Sequence, residues 1–409
     1  MKRVLVIGGG MAGAAAAFAA REAGAEVTLA ARAPGATALC GGLIEVAADP
    51  LGRALPAREA ADGLAARAPG HPYAALRARL GDLEPALALV GRRLAPFLVK
   101  GPALLATTLG GVRAGAWAHA SHAAGALVPG RRYGVCWFPR QPALLDGPAV
   151  AAALQAAGVA AEPSGVDWLD REERLGLGPF DLARLFDRPS EVRSLGASLA
   201  RARGSADVLL LPPVIGFEKT GEALHALSSA VGAPCAELVA ATPSIPGARL
   251  QGALDRALEQ AGVEVRRGVV TRLAEGRAEV TAATGTHEVP FDGAVLATGR
   301  FIGGGIRRDA AFSEPLLDLP ISDGAIRLLE QPIDGLLGEG PGAACAAYRA
   351  GITVDDRLHP IDGQGRAVDW LHGCGAVLGG GDPAVDGAGL GLAVFTGVLA
   401  GRSAAGVAG

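Results

Sequence analysis

Sulfur, aromatic rings and excess charge are all scarce in this chain, and each scarcity removes a class of protein. Five cysteines in 409 residues (Cys40, Cys136, Cys235, Cys345 and Cys374) are odd in number, far apart and free of C-x-x-C spacing. That pattern argues against a disulfide framework, a zinc site and an iron–sulfur cluster held by this chain. It fits a reducing cytoplasm. Charged residues make up only 19% and the net charge is −3, so there is no basic stripe to track a phosphate backbone, and nucleic acid is not an expected partner. The longest apolar stretches, Met11–Ala20 and Leu390–Ala400, fall short of the ~20 residues that span a bilayer. Lys2 and Arg3 run straight into an apolar strand at Val4–Ile7, which leaves no room for the apolar core of a signal peptide. What the chain has in quantity is apolar side chains, 50% of the total, enough for a large core and for two or three packed units.

It also has glycine in two telling places. Met1–Ala31 reads as a β-α-β unit whose first turn is Gly8-Gly9-Gly10-Met11-Ala12-Gly13. In such a turn Gly8 permits the sharp exit from the strand, Gly10 lets backbone approach a pyrophosphate and Gly13 lets the helix pack close. The first-turn amides from Met11 and Ala12 onward then face the anion with a partial positive charge. A second run, Gly375-Ala376-Val377-Leu378-Gly379-Gly380-Gly381-Asp382-Pro383, stands near the other end. The pair reads as two halves of one flavin cradle that the chain leaves and re-enters. The alternative for either run alone is a glycine turn that binds nothing.

The second strand departs from the usual pattern. An acidic residue at its end should hold the adenosine ribose hydroxyls, and this chain has Ala30-Ala31-Arg32 there. The residues leave open FAD held without that carboxylate, FMN with no such ribose to hold, NADP with Arg32 on a 2′-phosphate, or a merely solvated Arg32. NADP ranks last, since the later segments have a flavin character.

Dense Pro/Gly punctuation after residue 33 marks loops leaving the nucleotide fold, and residues 51–99 read as helices. From Val128 to about Thr242 short apolar strands such as Val208–Leu211 alternate with charged helical stretches such as Asp170–Arg174. Arg249–Ala261 forms an amphipathic helix, and Val263–Val265, Val269–Leu273, Ala278–Thr281 and Glu288–Phe291 read as a strand meander. Val295-Leu296-Ala297-Thr298-Gly299 resembles the strand and turn by which two-dinucleotide flavoproteins close on their cofactor. The expected architecture is α/β: a Rossmann-like two-dinucleotide-binding flavoprotein fold split by an inserted α+β substrate/cap domain. Its parts are a first flavin-binding part with a helical extension (1–125), the inserted cap (126–245), a second flavin-binding part (246–300), a cap return (301–350) and a C-terminal flavin-binding part (351–409).

Thr37–Val46, His71-Pro72-Tyr73, Leu209–Pro213, Pro246–Gln251, Leu296–Ile306 and Gly351–Leu392, taken in order, resemble the B subunit of anaerobic glycerol-3-phosphate dehydrogenase nearly end to end. That family is related to the flavoprotein subunits of fumarate reductase and succinate dehydrogenase. The resemblance implies oxidation of sn-glycerol 3-phosphate to dihydroxyacetone phosphate. It also implies an A-type flavoprotein subunit, a C-type iron–sulfur subunit at the inner membrane and quinone as acceptor, with FMN as the flavin associated with the family. Gly41, Gly42, Ala297, Thr298, Gly299, Gly381, Asp382, Gly387, Ala388 and Gly389 are then cofactor-binding, with Asp382 meeting the ribityl chain and the Gly387–Gly389 helix start facing the flavin. Arg300 would reach a flavin phosphate or a substrate anion, for which its planar fork is suited. Arg249 is a second cationic candidate, and His359, before Pro360, is the candidate base. His372 reads as a core histidine, and Glu218 and Lys219 as a solvated face. Only Cys40 stands near the cradle as a conceivable covalent tether, so the flavin is expected to be non-covalent.

Overall fold

The structure is a computed structural model describing residues 1–170, 174, 176–308, 312–322 and 343–407. β1 (Arg3–Ile7), α1 (Met11–Glu22) and β2 (Glu26–Ala31) form the opening β-α-β unit. The chain then passes through β3 (Leu43–Ile44), α2 (Ala57–Arg67), α3 (Pro72–Ala75) and α4 (Leu83–Arg93). β4 (Leu98–Ala106) and β5 (Val112–His119) pair antiparallel, and β5 also pairs with β3.

The insert follows. β6 (Arg132–Trp137), α5 (Gly147–Ala156), β7 (Ala160–Gly165), α6 (Pro179–Leu185), α7 (Pro189–Ala202), β8 (Val208–Leu211), α8 (Thr220–Val231) and β9 (Cys235–Glu237) alternate strand and helix. All four strands run parallel in the order β7-β6-β8-β9. Within the cap, then, helices interleave with strands and do not segregate from them. β8 is buried along its whole length, as a continuous apolar run covered on both faces should be. Of the charged stretch expected at Asp170–Arg174, Asp167–Asp170 is a 3-10 turn, and residues 171–173 lie outside the described residues.

α9 (Ile245–Gln260) carries the chain back to β10 (Glu264–Arg267). The meander expectation is corrected here. β10 lies parallel to β2 at the edge of the first sheet, and only β11 (Val269–Ala274), β12 (Arg277–Ala282) and β13 (Gly285–Pro290) form the antiparallel meander. A strand that emerges from a helix packed on a sheet rejoins that sheet in parallel by a crossover. β14 (Gly293–Leu296) pairs with β1. The short pairs β15 (Arg307–Arg308) with β16 (Phe312–Ser313) and β17 (Ile321–Ser322) with β18 (Gly351–Ile352) follow. Residues 309–311 and 323–342 of the expected cap return lie outside the described residues. β19 (Leu371–Gly373), α10 (Pro383–Asp386) and α11 (Gly389–Ala404) complete the chain.

The main sheet is thus parallel, in the order β10-β2-β1-β14-β19, and assembled from strands on both sides of the insert. Its core is unusually close-set. Alanines fill α1 from Ala12 to Ala20, and Gly397 and Gly401 of α11 lie directly over the carbonyls of Ala12 and Ala16. A Cβ at either glycine would strike that backbone, so the two helices hold the sheet and its carboxyl-end loops to one tight geometry.

Candidate functional site

The carboxyl ends of β1, β14 and β19 converge on the two glycine segments. Gly8 has φ +124 and lies against the Ala297 carbonyl, where no side chain fits. Gly13 sits on the Gly8 carbonyl, again without room for a Cβ, which brings the start of α1 onto the turn. The Met11 amide donates to Thr37 Oγ1 at 2.8 Å, while the next amides of the first turn have no intrahelical acceptor. The Gly9 carbonyl accepts from Gln251 Nε2 at 2.9 Å, and Gln251 Oε1 is buried without a hydrogen-bond partner.

Across the sheet, the Ala297 amide donates to the Ile7 carbonyl at 2.9 Å and sets the second turn beside the first. Thr298 Oγ1 is buried and unpartnered. Arg300 Nη2 donates to the carbonyls of Leu378 (3.0 Å) and Gly381 (3.4 Å), and Arg300 Nε has no partner. Among the described residues Arg300 has no ion pair. Burial draws its pKa down to about 10, against the opposing charge of Asp382. Asp382 is buried; its Oδ2 accepts from the Cys345 amide at 2.7 Å and its Oδ1 from the Ala384 amide at 3.0 Å, capping α10. Gly387 and Ala388 form the turn into Gly389, the first residue of α11, whose amino end presents a partial positive charge.

These features fit a dinucleotide flavin. Gly10 leaves a backbone surface on which a Cβ would meet nothing nearer than Thr37 Oγ1 at 3.4 Å, beside free first-turn amides that suit a pyrophosphate. The orphaned polar atoms of Gln251, Thr298 and Arg300 surround the same cradle, ready for a polar ligand. Arg32 is exposed and makes no hydrogen bond or ion pair among the described residues. Gln251 reaches the same turn from α9, with its Nε2 on the Gly9 carbonyl and on Asp255 Oδ1.

A further loop enters the site, unmarked by the glycine pattern. Gly380 packs on Gly70, and His71 follows it at the amino end of α3. His71 is buried; its Nδ1 accepts from the Tyr73 amide at 3.1 Å, and its Nε2 lies 4.0 Å from Asp386 Oδ2. Desolvation lowers the His71 pKa to about 4, helped by the charge of Arg67. Asp386 Oδ2 accepts from the Asp382 amide at 2.7 Å, and burial raises the Asp386 pKa.

Other expected site residues stand elsewhere. Arg249 is the clearest correction: it is buried and bonds Glu237 at 2.6 and 3.1 Å, with Nη2 also on the carbonyls of Ile215 and Gly216. A guanidinium enclosed by a carboxylate and two carbonyls braces α9 against the cap and is closed to a substrate. His359 Nδ1 lies 3.0 Å from Asp355 Oδ2 in its own loop and its ring stacks on His372 at 4.6 Å, with no hydrogen bond to Arg300 or Asp382. Gly41 and Gly42 are held from beneath by His122, whose Nε2 lies 3.0 Å from the Gly41 carbonyl and whose Nδ1 lies 2.9 Å from the Glu237 carbonyl. The Cys40 thiol is pushed up to about 11 by burial, which leaves little thiolate for covalent chemistry. His71 and Gln251 are functional candidates that sequence reasoning leaves without a role, while Asp386 lies in the Asp382–Leu390 segment whose sequence resembles a flavin contact; the His71-Pro72 pair, a capping residue before a helix-starting proline, carries a local signal.

Residues 3–178 match the family described as FAD binding domain. The match supports a flavin in the cradle and favours FAD of the two that the sequence leaves open. The chain is 31% identical to the B subunit of anaerobic glycerol-3-phosphate dehydrogenase from Yersinia pseudotuberculosis over 97% of this chain and 96% of that one. It is equally 31% identical to the B subunit of a probable anaerobic glycerol-3-phosphate dehydrogenase from Halobacterium salinarum, over 98% and 97% of the two chains. Among solved structures, the 3-ketosteroid-Δ4-(5α)-dehydrogenase of Rhodococcus jostii aligns over 99% of this chain and 97% of its own, with 15% identity and a TM-score of 0.45.

Proposed function

The chain belongs to the family of B subunits of anaerobic glycerol-3-phosphate dehydrogenase, and from that premise we propose that this FAD-dependent dehydrogenase oxidises sn-glycerol 3-phosphate to dihydroxyacetone phosphate. It works beside an A-type flavoprotein partner and delivers electrons to a C-type iron–sulfur partner at the membrane and on to quinone. No described helix is long and apolar enough to cross a membrane, so a membrane attachment would run through the partner.

The observation that carries this reading is Arg300. Arg300 is a partly buried guanidinium whose hydrogen bonds go only to carbonyl oxygens, with the charge of Asp382 nearby but no direct ion pair among the described residues, and it stands between the Ala297–Gly299 turn and the glycine run. Buried charges are normally paired, and a planar fork matches phosphate oxygens. A phosphorylated substrate or the cofactor's own phosphate would satisfy it.

FAD, once bound, supplies a two-electron acceptor for the hydride. The chain's own residues would hold it: Gly8–Gly13 and the first turn of α1 would take the pyrophosphate, and Gln251, Thr298, the Asp382 loop and the amino end of α11 would supply the remaining polar contacts. The test is anaerobic addition of glycerol 3-phosphate to the purified complex. Bleaching of the flavin on this chain supports the reading. A flavin reduced only through the A-type partner makes the chain a relay without a substrate site, and bleaching by a different small anion alone reassigns the substrate.

A further inference from the structure

We infer that Asp386 is the proton acceptor for substrate oxidation and that His71 Nε2–H holds the reacting oxygen beside it. This rests on the reading above that the site oxidises a small phosphorylated alcohol. Three observations converge on these two side chains, which come from segments more than three hundred positions apart.

The first is the protonation geometry of His71. A neutral imidazole carries one N–H and one acceptor nitrogen. His71 Nδ1 is already committed as acceptor of the Tyr73 amide, so the proton resides on Nε2. The ring is 2% exposed. Its Nε2 faces Gly381, where a Cβ would lie 3.1 Å away, and Asp386, whose Oδ2 at 4.0 Å is beyond hydrogen-bond reach. A donor on a nearly buried ring is thus aimed at the glycine run, and among the described residues it makes no hydrogen bond.

The second is the state of Asp386. One oxygen is fixed by the Asp382 amide, and Oδ1 makes no hydrogen bond among the described residues. The side chain is 15% exposed, enough to meet a ligand and little enough to be a stronger base than a solvated carboxylate. It directly precedes the Gly387–Gly389 turn into α11.

The third is the surrounding charge. The groups that act on this pair are Asp382, Arg349 and Arg67. The Arg349 carbonyl accepts from the Gly380 amide at 2.8 Å, which ties that residue to the glycine run, while its exposed side chain makes no ion pair among the described residues. Arg67 is likewise exposed and donates to the carbonyl of Ala48, whose amide in turn donates to the Asp386 carbonyl. A carboxylate with one open oxygen, a neutral donor and two guanidinium groups suit a substrate bearing an alcohol and an anionic group.

The step balances without another reactant. The carbinol C–H bond breaks and its electron pair leaves as hydride to FAD; the hydroxyl O–H bond breaks and its proton passes to Asp386 Oδ1; the C=O bond forms as His71 Nε2–H donates to the oxygen. Asp386 later releases its proton to solvent.

The experiment uses the assembled complex with wild-type, D386N, D386E, H71Q and H71A chains, because Asn keeps an acceptor for the Asp382 amide. Stopped-flow bleaching by glycerol 3-phosphate is followed against pH, as is binding of dihydroxyacetone phosphate to the oxidised flavin by its visible spectrum. Expected is a loss of about 10²–10⁴-fold in bleaching rate for D386N, partly restored in D386E. Product binding should tighten as pH falls in the wild type, because protonated Asp386 donates to the ketone, and should be independent of pH in D386N. H71Q, which retains an N–H, should lose less rate than H71A. A D386N complex with wild-type rate and pH profile overturns the inference and leaves the proposed substrate standing. Asp386-dependent bleaching by another hydroxy anion only overturns the substrate and keeps the inference. A wild-type flavin bleached by no hydroxy anion overturns both.

Discussion

Arg249 and Glu237 form a fully buried ion pair at 2.6 Å, and around it the first residues of α9, the end of β9 and the loop after β8 are locked together. Glu237 Oε1 also accepts from the Ile215 amide at 2.7 Å, so neither charge has an uncompensated direction except Arg249 Nε. Removing one partner strands the other. Arg249→Met is expected to destabilise the protein by about 3–5 kcal/mol, with the double replacement R249M/E237Q recovering part of the loss. Urea unfolding of the four proteins in the cycle checks this. A variant that keeps full stability and loses only substrate affinity would return Arg249 to the substrate site.

Gly10 separates cofactor binding from folding. A methyl group there meets Thr37 Oγ1 at 3.4 Å and Gly35 Cα at 3.7 Å, ordinary contacts, yet it occupies the surface a pyrophosphate must approach. Gly10→Ala should therefore purify folded and depleted of flavin. The ratio of visible to ultraviolet absorbance, beside a circular dichroism melt of the apoprotein, reads both halves.

Arg300 is expected to discriminate sharply between charge and shape. Arg300→Lys keeps a cation but loses the fork that spans the Leu378 and Gly381 carbonyls, and should raise the substrate KM at least tenfold with kcat little changed. Arg300→Gln should lose more. Equal KM values for all three proteins, with flavin content intact, would remove Arg300 from anion binding.

Four buried histidines, His71, His119, His122 and His372, give stability a pH dependence of known sign. His71 and His372 both have pKa values lowered to about 4, by desolvation first and by neighbouring positive charge second. An unfolded histidine titrates near 6.5. Their folded-state contribution is therefore complete above that value and is lost as pH falls towards 4, at up to about 1.4 kcal/mol per pH unit for each group. Urea midpoints from pH 8 to 5 should fall with pH, and His372→Gln should flatten the slope. A slope that rises towards acid would mean that the histidines are held charged.

Much of the flavin scaffold is legible in the sequence because its signals are local. A strand, a glycine turn and an alanine helix in immediate succession leave few alternatives for Val4–Ala20, and Leu296–Gly299 repeats the logic of a strand closing in a tight turn. β10 reads wrongly as part of the meander because a short Val-Glu-Val stretch looks the same in either sheet; the preceding α9, which must pack on the main sheet, decides which one it joins. Arg249 looks available because the sequence displays its charge and conceals Glu237 opposite it.

The sequence by itself determined that the chain folds around a split glycine cradle, that its second strand ends in Arg32 with no carboxylate to follow, and which family it resembles, since turn chemistry and helix periodicity act over a few residues. Only the tertiary structure decided what the polar side chains do. His359 closes on Asp355 four positions away, while His71 is brought to Asp386 from the far side of the insert, and Gln251 reaches Gly9 from α9. Such pairings depend on where parallel strands end and how closely α1 and α11 approach, distances that no local pattern encodes.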